Sequence, residues 1–75
     1  MQIDKEINAR GLNCPLPLMK AKKALMEMQS GQVLRLVATD AGSMGDILEF
    51  VTDAGHQMLD QQHVGKEYIH TMRRG

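Results

Sequence analysis

Both prolines of this chain, Pro15 and Pro17, fall within one tripeptide of its 75 residues. Proline has no backbone N–H and a fixed φ. Such a pair cannot sit inside a helix or mid-sheet, but it suits the first turn of a helix, where N–H groups lack intrahelical partners anyway. The stretch "NARGLNCPLPLMKAKKALMEM" (residues 8–28) must therefore change structure at Cys14-Pro15. Pro15 is expected at the first helical position. Beyond it, Leu18, Ala21, Leu25 and Met28 recur at i, i+3, i+7 and i+10, a helical stripe. Lys20, Lys23 and Glu27 lie on the other side, and Gly31 in "QSGQ" is expected to end the helix.

The remaining segments alternate around this one. Ile3 and Ile7 mark a short strand over 3–8. "QVLRLVA" (32–38) is apolar on both faces and reads as a central, buried strand. "TDAGS" is a loop whose Ser43 is expected to cap a second helix, with Asp46 in capping-box position. Met44, Ile47, Leu48 and Val51 form the stripe of that helix, and Gly55 closes it. Two strands follow, over 56–62 and 66–72, joined by "HVG" in a hairpin. The order βαβαββ predicts an α/β fold. It is a two-layer sandwich of a four-stranded mixed sheet with two helices on one face, forming one domain over residues 1–75.

Composition narrows the function. Formal net charge is zero and the aromatics are Phe50 and Tyr68, which argues against direct nucleic-acid binding. No segment approaches the ~20 apolar residues of a membrane span, and "MQIDKEINAR" lacks the apolar run of a signal peptide. With one cysteine there is no internal disulfide. The free thiol points to a cytoplasmic, reducing setting. The three histidines do not match a zinc spacing, so neither a metal nor another cofactor is expected.

Cys14 falls at or next to the helix N-terminus. There, unpaired N–H groups and the positive end of the dipole favour a thiolate, and the Leu16 and Leu18 amides are the available donors. Pro15 restricts Cys14 to an extended backbone. On position alone two readings stand: a reactive thiol, and a buried cysteine packing as a small hydrophobe. Its place in a loop-to-helix junction rather than on an apolar stripe favours the first. No Cys-x-x-Cys partner exists for dithiol chemistry, and His56, His63 and His70 all fall in the expected hairpin, away from a base role. A solitary activated thiol can accept and pass on one group, and sulfane sulfur carried as Cys–S–SH is a natural cargo.

"ARGLNCPLPLMKAKKAL" resembles the signature of the TusA family (SirA-like proteins), whose Cys-Pro-x-Pro motif stands here as Cys14-Pro15-Leu16-Pro17. The similarity continues through "SGQVLRLVATD", Asp46-Ile47 and "GHQML". This chain has Asn8 where many relatives have Asp, Ala41 where they have Pro, and Val51 where many carry a second cysteine. The resemblance implies a sulfur carrier, rather than a self-contained enzyme, that receives persulfide sulfur on Cys14 from a cysteine desulfurase or rhodanese-like donor. It relays that sulfur to an acceptor protein, for tRNA thiolation, molybdenum cofactor assembly or sulfur oxidation. A shuttling carrier of this kind is expected to be a monomer. Pro15, Leu16, Pro17, Arg10 and Gly11 are the positioning residues of the motif. The competing reading is a regulatory protein-binding module with a redox-sensing or incidental thiol.

Four apolar residues lie off the stripes. Leu16 sits on the far side of the first helix, Met19 and Met26 also lie off its stripe, and Phe50 sits to the side of the second. They are either scattered surface hydrophobics or a docking patch beside Cys14. Arg10 is either a group that steadies a persulfide anion or an acidic partner, or a solvated loop charge.

Overall fold

The segment at 33–38 is apolar on both faces because the fold uses it as an inner strand. The structure, a computed structural model describing residues 1–75, orders the elements β1 (Lys5–Ala9), α1 (Leu16–Glu27), β2 (Val33–Ala38), α2 (Ser43–Asp53), β3 (Gln57–Val64) and β4 (Glu67–Arg73). The sheet runs β1-β2-β4-β3, so β2 and β4 are inner strands. β1 pairs with β2 in parallel, Ile7 opposite Leu36. β4 pairs antiparallel with both β2 and β3, with Leu36 opposite His70. The α/β two-layer fold expected from the sequence is the one observed.

Side chains alternate across each strand. Leu34, Leu36 and Ala38 of β2 and Met72 of β4 form one face with Ala9. Ala21, Ala24 and Leu25 of α1 and Ile47 and Val51 of α2 pack against them in a single core. The alanines on α1, β1 and β2 let the helix backbone approach the sheet closely, and close packing turns that approach into dispersion contact. The other face carries no helix. There Val37 lies in a shallow, mostly polar groove with Arg10, Arg35, Asp60 and Glu67.

Element ends differ from expectation for local reasons. β1 begins at Lys5, not residue 3, but Asp4 already pairs with β2. Its N–H donates to the Val33 carbonyl (2.9 Å), and its carboxylate accepts the Val33 N–H (2.8 Å). α1 stops at Glu27, before Gly31, because Met28 turns extended and enters the core. The Arg74 guanidinium donates to the Leu25 carbonyl (2.7 Å), placing a cation at the helix C-terminus, where it is favourable. Gly55 closes α2 as expected. With φ +83 it allows His56 N–H to reach the Val51 carbonyl and its own N–H to reach that of Thr52, a Schellman closure. Leu48, expected on the buried stripe of α2, is 42% exposed. β3 runs on to Val64, so the hairpin turn is Gly65-Lys66 with positive φ at Gly65 alone. No helix is long and apolar enough to cross a membrane.

Candidate functional site

The start of α1 is organised by its prolines, one position later than expected. Pro15 occupies the N-cap, Leu16 the first helical position and Pro17 the second. Neither missing N–H has a partner to lose there, since the first turn of a helix leaves its donors unpaired. Pro17 is buried and anchors the turn to the core. Cys14 therefore stands one residue outside the cap, exposed to solvent, and is joined to Pro15 by a cis peptide bond. The Leu16 N–H, expected to face the sulfur, donates instead to the Asn13 carbonyl (2.9 Å).

The partner of the sulfur comes from the other helix. Cys14 Sγ donates to Asp46 Oδ2 at 3.3 Å. Asp46 sits in the first turn of α2, its N–H bonded to the Gly42 carbonyl (3.2 Å). This overturns the expected thiolate. The Asp46 hydrogen bond, partial desolvation and the charges of Asp46 and Asp40 push the Cys14 thiol above its ordinary pKa. A full negative charge in contact with the sulfur outweighs a helix terminus worth about half a charge, seen from outside the cap.

α2 is itself held by buried polar contacts. Ser43, expected as the N-cap, is the first helical residue, and Gly42 occupies the cap. The Ser43 side chain turns inward, to 3.0 Å from His70 Nε2 on β4. Gln61 on β3 spends both amide hydrogens here, on the Met44 carbonyl (2.9 Å) and on His70 Nδ1 (3.1 Å). Nδ1 is thereby an acceptor, so Nε2 carries the proton and donates to Ser43 Oγ. Burial pushes His70 down to about pKa 4, so the ring is neutral near pH 7. Neither Asp46 as the thiol's partner nor His70 as a buried tie was foreseen. A signal existed for His70: it shares parity along β4 with Met72 and so falls on the apolar face.

The other expected site residues separate. Gly11, at φ +78, gives its N–H to Thr39 Oγ1 (2.8 Å) and so ties the loop before Cys14 to the end of β2. Arg10 turns to the helix-free face, where it pairs with Glu67 and Asn8 and holds the Glu67 carboxyl below its usual range. The structure does not bring Arg10 to Cys14. Leu16 and Met19 are 45% and 56% exposed on α1. Phe50 packs partly against the core, with Lys22 Nζ 5.2 Å from the centre of its ring. It borders a groove of about 280 Å³ between the helices, shared with Leu18, Lys22 and Asp46.

Residues 5–74 match the model of the family described as sulfurtransferase TusA. A sulfur carrier protein TusA of Allochromatium vinosum is 45% identical over 65 residues, covering 87% of this chain and 86% of that protein. A putative sulfur carrier protein of Bacillus subtilis is 42% identical, covering 87% of each chain. The crystal structure of a SirA-like protein from Desulfitobacterium hafniense superposes with a TM-score of 0.84 at 26% identity, over 95% of this chain and 97% of that one.

Proposed function

We propose that this chain, which belongs to the TusA family, is a sulfur carrier that holds sulfane sulfur as a persulfide on Cys14. The observation that carries the reading is the exposed Cys14 at the start of α1, in a chain whose relatives are named sulfur carriers. It is the only cysteine of the sequence, so no second thiol can close the persulfide into a disulfide within the chain. In this reading residues 1–75 act as one carrier domain, a monomer passing between a donor protein and an acceptor protein. A cysteine desulfurase or rhodanese-like protein fits as donor, since both present sulfur on a cysteine. The cytoplasm fits an unpaired thiol. Leu16 and Met19, exposed on α1, supply apolar surface for docking, and Phe50 adds a ring at the interhelical groove. Arg10 and Gly11 shape the loop that precedes the thiol, Arg10 through its hold on Glu67.

Intact-mass measurement after incubation with a cysteine desulfurase and cysteine, or with thiosulfate and a rhodanese, tests the reading. One added sulfur on the wild type and none on Cys14→Ser is the expected result. No added sulfur from either donor would leave the protein-binding module as the better account.

A further inference from the structure

The charges that act on Cys14 are both negative. Asp46 Oδ2 accepts its S–H bond, and Asp40 lies farther off on the loop before α2. Lys22, Glu49 and Asp53 share the interhelical groove with Asp46 but make no hydrogen bond with the sulfur. A carboxylate can accept a hydrogen bond from a thiol and can accept nothing from a sulfur anion. A persulfide is a stronger acid than its parent thiol, so the outer sulfur of the loaded carrier is an anion near neutral pH. The same carboxylate therefore attracts the empty side chain and repels the loaded one.

Building on the carrier reading above, we propose that Asp46 is a positioning residue that distinguishes the empty carrier from the loaded one. It holds Cys14 against α2 as a hydrogen-bonded thiol and turns an outer persulfide sulfur away from α2, into solvent. The first turn of α2 is where a negative charge is favoured, so the fold supports a carboxylate at this position. In the loading step Cys14 Sγ bonds to the outer sulfur of a donor persulfide anion while the donor's own S–S bond breaks. The proton of Cys14 leaves by way of Asp46 and ends on the donor's freed thiolate. One S–S bond replaces another, so no outside oxidant or reductant enters. Delivery runs the same exchange onto an acceptor thiol.

Asp46→Asn removes the charge and keeps the shape, and Asp46→Glu restores the charge. Each protein is equilibrated with glutathione persulfide and glutathione at one fixed ratio, and its loaded fraction is read by intact mass. Alkylation of the empty proteins by iodoacetamide is followed against pH. Asp46→Asn should raise the ratio of loaded to empty carrier about fivefold, the effect of one charge in contact in a water-like dielectric. Its alkylation midpoint should fall, while Asp46→Glu follows the wild type in both. Asp40→Asn should move both readouts the same way by less, and it carries the test if Asp46→Asn does not fold. Wild-type ratios and midpoints in the folded Asn variants would overturn the role of Asp46 alone. If no protein gains sulfur, the carrier reading falls and this role with it.

Discussion

The two helices begin at their junctions with the sheet in opposite ways. The start of α2 is closed: Ser43, His70 and Gln61 satisfy one another in the interior, and the Met44 carbonyl takes the remaining amide hydrogen. The start of α1 is open: only Pro17 is buried, and Cys14 stands outside the helix in solvent. Neither helix has a side-chain N-cap. The difference separates two tasks. α2 is fixed to β3 and β4 by polar contacts and presents a carboxylate from its first turn. α1 is fixed by an apolar anchor and presents a thiol. The chemistry of that thiol is thus set less by its own helix than by the neighbouring one, and the buried tie at His70 indirectly holds Asp46 in place.

The largest test of this contrast removes the open end. Cys14→Ser should abolish sulfur loading in the intact-mass assay, yet change stability by no more than about 0.5 kcal/mol, as exposed substitutions generally do. A large loss of stability would mean that the thiol belongs to the fold.

The closed end should behave in the reverse manner. His70→Ala leaves a cavity, and Ser43 and Gln61 each lose a buried partner, so urea denaturation should show a loss of about 3 kcal/mol. Sulfur loading should persist in whatever fraction remains folded. His70 also gives the fold a pH dependence of definite sign. Its pKa is about 4 in the folded chain against an ordinary 6.5, so between these values the unfolded chain binds more protons and stability rises with pH. The contribution is complete above the unfolded pKa and disappears as pH falls toward the folded one. It amounts to at most about 3 kcal/mol. The difference in stability between the wild type and His70→Gln, compared near pH 7.5 (roughly one unit above the unfolded value) and near pH 4, isolates it from the carboxylates. A constant difference would contradict the burial of a neutral ring.

Smaller effects sharpen the comparison. Ser43→Ala removes one partner of the tie and should cost about 1 kcal/mol. Leu16→Ser with Met19→Ser should slow sulfur transfer several-fold while the melting temperature stays within a few degrees, as for other exposed changes. Unchanged transfer kinetics would make these residues ordinary surface hydrophobics.

The sequence carried the order of the elements and much of their packing. Periodicity distinguished helix from strand, and the two-faced apolar run at 33–38 identified an inner strand. Where it erred, a local rule gave way to a distant contact. Ser43 has the chemistry of a cap, but His70, 27 residues away, offers it a buried donor. Leu48 fits the stripe of α2 by spacing, yet α2 faces the sheet through Ile47 and Val51. Arg10, read from its neighbours in the chain, stands beside a thiol; in space its partner is Glu67, 57 residues on.

The sequence by itself therefore determined the βαβαββ order, the position of the one thiol and its place before a proline-led helix. These follow from short-range physics: side-chain periodicity, proline's missing N–H and glycine's freedom at positive φ. Only the tertiary structure decided the state of that thiol. Asp46 lies 32 residues from Cys14 in the chain and 3.3 Å from it in space. Electrostatic interaction depends on distance in space, and a carboxylate in contact outweighs the dipole of the helix to which the cysteine is attached.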